Sequence, residues 1–221
     1  MPSPLPTPQP PHTFHSSPPP PQTFSSTYRN SRPLLLKESP HILPLARKCS
    51  QDPSFLQNEL LTPIQSAAPE SIADASKGLL NVLISSDNEH FLDDPRFATK
   101  KRMHVSDILA GVTSPSPPTE RFYYRGGLSP TLLSTLSAPT ILTSLTGPTP
   151  PPTKPSLIRI WISPAGARTP LHFDRCHGIL IQLSGRKRFL IFPPSDARAL
   201  ALHDGISGPA HASRIRGLDA G

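Results

Sequence analysis

Short, nearly continuous apolar runs separated by turn residues follow one another along the last third of the chain. Three runs are rich in β-branched and aromatic residues, Leu157–Ile162, Gly178–Leu183 and Lys187–Phe192, a composition typical of strands. The tight turn Ser184–Gly185 separates the last two runs. Connections this short allow only antiparallel pairing. The pattern therefore predicts a β-rich domain with antiparallel strands.

Shorter elements are predicted upstream. Four strands are indicated by apolar runs, at Pro33–Leu36, Leu79–Ile84, Met103–Val105 and Arg121–Tyr124. Helices are predicted where a capping residue precedes a helix-forming run, beginning at Pro53, Ser106 and Pro130, with a further helix at Asp196–Leu202. Helices thus come mainly before the β-rich part.

Proline dominates the composition and marks the breaks in this pattern. The chain has 221 residues, of which 32 are Pro and only 12 are Gly. Residues 1–28 form a Pro/Ser/Thr-rich stretch without the apolar residues needed to bury a core, so we predict a disordered tail there. We expect one domain over residues 29–221, with Pro-rich loops at 113–119 and 147–155.

Charge and cysteine content narrow the function classes only slightly. The net charge is +7, which a generally basic surface explains without nucleic acid. The two cysteines, Cys49 and Cys176, form no CxxC motif, which argues against a disulfide scaffold and a structural zinc site. We expect an intracellular protein, cytoplasmic or nuclear, without a membrane span, because no apolar run approaches 18 residues. The oligomeric state stays open.

A histidine and an aspartate form the first chemical motif. His172 and Asp174 are two residues apart in a predicted extended run, so their side chains point to the same face. Imidazole and carboxylate together supply two of the three protein ligands that hold non-haem Fe(II). A polar strand edge without metal explains the same pair, and the residues alone leave both interpretations open.

A lysine on an apolar strand forms the second motif. Lys187 shares a face of its predicted strand with Phe189 and Ile191. Such a lysine needs a nearby anion or its pKa falls. One interpretation is a salt bridge to the carboxylate of a small dicarboxylic ligand, with the Thr169 hydroxyl as a second donor. The other is an edge strand from which Lys187 reaches solvent.

These motifs resemble one family. The runs Trp161–Asp174 and Gln182–Pro194 are similar to the JmjC and cupin-like domain 8 family of Fe(II)- and 2-oxoglutarate-dependent oxygenases, and a weaker similarity extends over residues 30–216. The resemblance implies a mainly β fold, a partial double-stranded β-helix of the cupin or jelly-roll type, with N-terminal helices. It also implies hydroxylation or demethylation of a protein or tRNA substrate that the sequence does not identify.

The resemblance also implies roles for individual residues. His172 and Asp174 match the first two iron ligands of the family. Lys187 matches the lysine that binds the far carboxylate of 2-oxoglutarate. Thr169 matches a hydroxyl residue that supports this carboxylate, and Tyr123 matches a tyrosine on an upstream strand that reaches the same group.

The third iron ligand of the family has no counterpart in the sequence. In the family a distal His follows several strands later, whereas here His203 and His211 lie at the end of a predicted helix and in a Gly/Pro/Ser loop. We therefore expect a domain that is incomplete at its C-terminus and inactive as it stands. Two alternatives stay open: a catalytically inactive cupin-like binding module or fragment, and a Pro-rich adaptor in which the His-x-Asp motif is incidental.

Overall fold

A five-stranded antiparallel sheet with helices against one face forms the centre of the structure. The structure is a computed structural model that describes residues 9–62, 72–91, 94–136, 138–148, 158–174 and 177–215. Its strands are β1 (His12–His15), β2 (Leu34–Lys37), β3 (Ile72–Asp74), β4 (Leu79–Ser85), β5 (Ala98–His104), β6 (Phe122–Gly126) and β7 (Ile160–Ile162). Its helices are α1 (Pro21–Thr23), which continues as a π-helical turn (Phe24–Tyr28), α2 (Leu43–Gln51), α3 (Pro53–Leu61), α4 (Val105–Thr113), α5 (Pro130–Leu136) and α6 (Ala138–Thr146).

The sheet is built around β4. Its strand order is β3-β4-β6-β7, and β5 pairs with β4 along most of its length. Every pair in this sheet is antiparallel, although the short turn from which antiparallel pairing is predicted, Ser184–Gly185, lies outside it. In β4 the side chains of Leu80 and Val82 point into the core, which follows from the two-residue period of a strand.

Two apolar clusters hold the helices on the sheet. The first joins α3 and α4 to the sheet and contains Leu60, Leu80, Val82, Val105, Ile108, Phe122, Tyr124 and Ile162. The second joins α2, α3 and α5 and contains Leu45, Phe55, Leu128, Leu132 and Leu136. The sheet is thereby covered on one side by helices that precede or interrupt it in the chain.

Local capping explains where two of the helices begin. The Asp52 side chain accepts a hydrogen bond from the Phe55 N–H at 3.0 Å, at the start of α3. The Ser129 hydroxyl accepts one from the Leu132 N–H at 3.0 Å, at the start of α5. Both caps are predicted from the sequence and confirmed. Helix α4 differs from its prediction, because it begins at Val105 and not after a Ser106 cap.

Part of the predicted disordered tail is ordered. Strand β1 pairs in parallel with β2, from His12 opposite Leu34 to His15 opposite Lys37. The turn of α1 allows the chain to return for this parallel pairing. Tyr28 is buried, and its hydroxyl lies 2.9 Å from His12 Nδ1. The structure therefore differs from the prediction over residues 12–28, because Tyr28 provides an apolar anchor; residues 1–8 lie outside the described part.

The last third of the chain contains fewer strands than the pattern predicts. Among the described residues of this region, Ile160–Ile162 alone forms a strand, and residues 177–183 and 187–192 have no strand pairing. Leu157, the first residue of the predicted strand, lies outside the described residues. The helix predicted at Asp196–Leu202 is a single 3-10 turn, Pro194–Asp196. Over the described residues the fold thus combines helices and antiparallel sheet and is not mainly β. Within the residues that the structure describes, no helix is long and apolar enough to cross a membrane.

Candidate functional site

Strand β6 positions Tyr123, the first of the predicted site residues. Phe122 and Tyr124 on either side of it point into the core, so the alternation of the strand turns Tyr123 to the other face. There its ring stacks on Phe91, with ring centres 5.6 Å apart and planes at 22°. Burial raises the pKa of the Tyr123 phenol. The hydroxyl therefore stays protonated at neutral pH.

Thr169 and Lys187 meet this tyrosine from two other parts of the chain. The Thr169 side chain lies close enough to the Tyr123 hydroxyl to lower the pKa of this phenol, which opposes the effect of burial. The Lys187 Nζ lies 5.9 Å from the centre of the Tyr123 ring, within the range of a cation–π contact. The structure thus brings together the three residues predicted to bind one carboxylate, a set that supplies two hydroxyls and one positive charge.

The surroundings of Lys187 differ from the prediction. Lys187 lies on an extended but unpaired segment, and much of its side chain reaches solvent. Its ammonium is nevertheless partly desolvated, which lowers the pKa of the group. Among the described residues no carboxylate lies within ion-pair distance of it. Because no carboxylate neutralises its charge, an ammonium in this setting can bind an anionic ligand.

A short antiparallel contact holds His172 in place. Residues 200–214 fold back so that Ala212 lies opposite His172. The Phe173 N–H donates to the His211 carbonyl at 3.0 Å, and the Ser213 N–H donates to the Leu171 carbonyl at 2.7 Å. Ala212 and Ser213 are fully buried. We call residues 200–214 the return segment.

The tautomer of His172 follows from its hydrogen bond. His172 Nδ1 lies 2.8 Å from the Pro170 carbonyl oxygen, which can only accept, so Nδ1 carries the proton. The lone pair is then on Nε2. Histidines that bind metals in proteins commonly show this arrangement, because the second nitrogen fixes the orientation of the ring.

The metal ligand set is incomplete within the described residues. His172 Nε2 and the exposed carboxylate of Asp174 suit two positions of a facial triad. No group of three His, Cys, Asp or Glu side chains in the described ranges is close enough to hold a metal ion. His211 lies beside His172, with ring centres 6.4 Å apart and nearly perpendicular planes. His203 is buried elsewhere, 5.7 Å from the Phe97 ring.

The remaining neighbours of the motif are less informative. His177 is exposed, and Cys176 lies outside the described residues. Sequence patterns did not predict the stacking of Phe91 on Tyr123 or the contact of the return segment with His172. Both depend on pairing between distant parts of the chain, for which neither region carries a local signal.

Two comparisons with known proteins found matches to this chain, one with a family model and one with individual proteins. A family model described as "Cupin-like domain" matches residues 20–216. The chain is 40% identical over 47 residues to Jumonji C domain-containing protein 5 of Drosophila melanogaster, covering 21% of this chain and 12% of that protein. It is 41% identical over 46 residues to JmjC domain-containing protein D of Dictyostelium discoideum, covering 21% of this chain and 10% of that protein.

These alignments span only a small part of the two relatives. No solved structure matches the chain. The family model, in contrast, covers nearly all of the chain from α1 to the end of the return segment. The chain therefore belongs to the cupin-like domain family.

Proposed function

We propose that the chain is a JmjC-type oxygenase that uses Fe(II) and 2-oxoglutarate. The observation that carries this proposal is the convergence of Tyr123, Thr169 and Lys187. Membership of the cupin-like family and the local identity to two JmjC-named proteins support the same class.

In this proposal the far carboxylate of 2-oxoglutarate binds to Lys187. The ammonium supplies the charge, and the Tyr123 and Thr169 hydroxyls donate hydrogen bonds to the carboxylate oxygens. The stacking of Phe91 fixes the Tyr123 ring, so little conformational freedom is lost when the ligand binds. These residues bind and orient the cosubstrate and transfer no proton.

His172 and Asp174 would hold the iron through Nε2 and the carboxylate. When bound, Fe(II) supplies the chemistry that couples oxidative decarboxylation of 2-oxoglutarate to oxidation of a C–H bond. The hydrogen bond from His172 Nδ1 to the Pro170 carbonyl orients the ring and places the proton of the neutral imidazole on Nδ1, so that Nε2 carries the lone pair that a metal would bind. The return segment fixes the backbone on both sides of this ring.

The substrate class follows from the family and not from a pocket in this chain. JmjC-type hydroxylation or demethylation of a protein or of tRNA is the activity we propose. The basic net charge suits either an acidic protein surface or a phosphate backbone.

Cosubstrate binding is the first test. Titration calorimetry with 2-oxoglutarate in the presence of Mn(II), which replaces Fe(II) without turnover, should show binding to the chain. Lys187→Ala should weaken this binding, whereas Lys77→Ala, which removes an exposed lysine paired with Asp74, should leave it unchanged. Equal binding by both variants would remove Lys187 from the site.

Metal binding and turnover form the second test. His172→Ala should weaken Mn(II) binding measured by electron paramagnetic resonance, and the exposed His41→Ala should not. Succinate formation from 2-oxoglutarate with Fe(II) and ascorbate then tests catalysis. Because the described residues supply only two iron ligands, we expect no succinate from this chain, and Fe(II)-dependent succinate formation would show that a further group completes the metal site. Failure of 2-oxoglutarate to bind would contradict the oxygenase and support the cupin-like binding module.

A further inference from the structure

The return segment contacts the central sheet at the turn that leads into β5. This turn comprises residues 94–97 and continues directly into the strand. The Phe97 ring lies 5.7 Å from the His203 ring of the return segment, and the Arg96 guanidinium donates a hydrogen bond from Nη1 to the Ile206 carbonyl. The turn, which we call the β5 turn, therefore holds the return segment at two points.

Asp94 sets the direction in which the Arg96 guanidinium points. The Asp94 carboxylate accepts hydrogen bonds from Arg96 Nε at 2.8 Å and from Arg96 Nη2 at 2.6 Å. Two parallel bonds of this kind fix the plane of a guanidinium, which a single bond to a lysine ammonium does not do. The third nitrogen, Nη1, is thereby directed at the Ile206 carbonyl. Although the Arg96 side chain is 43% exposed, its position is well defined.

The loop that carries Ile206 is ordered by hydrogen bonds and not by burial. The Ile206 side chain is 87% exposed, so apolar packing does not fix this part of the return segment. The Asp204 carboxylate accepts hydrogen bonds from the Ile206 N–H at 2.9 Å and from the Ser207 N–H at 2.7 Å, which closes a compact turn. The bond from Arg96 then ties this compact turn to the sheet.

The same return segment holds His172, the candidate metal ligand. The His203 N–H donates to the Ala212 carbonyl at 2.9 Å, and Ala212 lies opposite His172 in an isolated antiparallel bridge. His172 itself belongs to none of the strands of the five-stranded sheet. A metal ligand must be held within about 0.5 Å of its productive position. The contacts of the return segment with the β5 turn connect His172 to the rigid sheet.

We propose that Arg96 is a positioning residue for His172. By holding the Ile206 carbonyl, Arg96 keeps the return segment in place, and the return segment keeps the His172 backbone and ring in the orientation that a metal requires. This role rests on the proposed function, because it affects catalysis only if His172 binds the iron. Arg96 touches neither metal nor cosubstrate and acts through the hydrogen bonds of the return segment.

Measurements on the metal-free chain test the positioning directly. At about pH 8, where an imidazole is neutral, nitrogen-15 NMR should show the His172 proton on Nδ1, which lies 2.8 Å from the Pro170 carbonyl oxygen. Arg96→Gln should shift His172 towards a mixture of tautomers. It should also speed up hydrogen exchange at the Phe173 amide, which donates to the His211 carbonyl. An unchanged tautomer and exchange rate in the folded variant would overturn the proposal.

Two further variants separate the geometry of the contact from its charge. Arg96→Lys keeps the positive charge but cannot bind Asp94 and Ile206 at once, so it should resemble Arg96→Gln in both measurements. Asp94→Asn weakens the two-bond contact and should act in the same direction. Lys101→Gln is the matched control, because it removes an exposed ion pair with Glu120 from the same strand, and it should change neither measurement. Full function of Arg96→Lys would contradict the geometric role.

Manganese binding distinguishes failure of this proposal from failure of the proposed function. Arg96→Gln should weaken Mn(II) binding, measured by electron paramagnetic resonance, by about three- to tenfold, and Lys101→Gln should not. Equal Mn(II) affinity of Arg96→Gln and the unsubstituted chain would overturn the positioning role. If the unsubstituted chain binds no Mn(II), the proposed function fails, and the tautomer and exchange measurements still decide whether Arg96 positions His172. Circular dichroism verifies that each variant is folded.

Discussion

The Lys187 ammonium lies 5.9 Å from the centre of the Tyr123 ring, although the two residues are far apart in the sequence. The face of an aromatic ring attracts a cation, most strongly where water is partly excluded. Here that attraction holds a positive charge beside Tyr123, whose hydroxyl also lies close to the Thr169 side chain. The three groups are thereby arranged before any ligand arrives.

The pH dependence of 2-oxoglutarate binding should follow Lys187. Desolvation lowers the pKa of this ammonium below its ordinary value of 10.5. The charged form binds the carboxylate, so affinity should fall as the pH rises, and should begin to fall at a lower pH than for an exposed lysine. Burial raises the pKa of Tyr123 above its ordinary value of 10.0, so the phenol stays protonated at neutral pH. Calorimetry between pH 7 and 10 measures the effect.

Lys187→Arg is the control for this titration. Arginine stays charged throughout this range, so the affinity of this variant should be independent of pH even if it is lower overall. Lys187→Ala should weaken binding by roughly 10–100-fold, less than for a fully buried pair because the side chain is partly in solvent. A steep loss of affinity in the Arg variant would assign the titration to another group.

Gly208 should tolerate no side chain, because His203 occupies the space. A Cβ at Gly208 would overlap the His203 ring at Nδ1, and His203 is buried. Gly208→Ala should therefore destabilise the return segment by roughly 1–3 kcal/mol. Hydrogen exchange in this variant should be faster than in the unsubstituted chain at the Phe173 and Ser213 amides, which form the hydrogen bonds between the return segment and residues 171–173.

Gly178→Ala is the matched control. A Cβ at Gly178 meets no atom within 4 Å, so this substitution should leave both the thermal midpoint and the exchange rates unchanged. Equal effects of the two substitutions would mean that the contact with His203 does not constrain the return segment.

The sequence predicted those features of the fold that depend on local interactions. The Asp52 and Ser129 caps and strand β4 follow from residues close to one another in the chain, whereas the antiparallel pairing of β6 with β7 joins segments that α5 and α6 separate. The runs at 178–183 and 187–192 are apolar and predicted to be strands, yet they form none, because a strand also needs a partner for its backbone. Whether such a partner strand is present depends on distant parts of the chain, which a local sequence pattern does not predict.

The candidate site likewise has features that local residues predict and features that depend on contacts between distant segments. The His-x-Asp motif and Lys187 were identified from the sequence and from the resemblance, and the structure brings Lys187, Tyr123 and Thr169 together. The pairing of His172 with Ala212 was not predicted, since Ala212 carries no chemical signal. Order at β1 was also missed, because the many prolines around it obscure the anchoring role of Tyr28.

Ser129 should contribute measurably to stability through two hydrogen bonds. Its buried hydroxyl donates to the Glu59 carboxylate and accepts from the Leu132 N–H. Ser129→Ala removes the cap of α5 and leaves Glu59 without this donor, which should cost about 1–2 kcal/mol in the free energy of unfolding. Urea denaturation measures it. Ser134→Ala, at an exposed position of the same helix, should change the free energy by less than about 0.5 kcal/mol.

The carboxylate of Asp87, in the turn after β4, should make the free energy of unfolding depend on pH in the acid range. Although burial raises the pKa of this carboxyl, hydrogen bonds from the His90 N–H, the Ser85 hydroxyl and the Glu89 N–H hold it well below its ordinary value of 3.8. A carboxyl with a lowered pKa stabilises the folded state above about pH 4, and this contribution is lost as the pH falls further.

Asp87→Asn should cost roughly 1–2 kcal/mol at pH 7 and flatten the decline in unfolding free energy below pH 4. Asp107→Asn, an exposed carboxylate in α4, should keep the decline. Urea denaturation from pH 7 to 3 compares them, and parallel curves for Asp87→Asn and the unsubstituted chain would contradict the assignment.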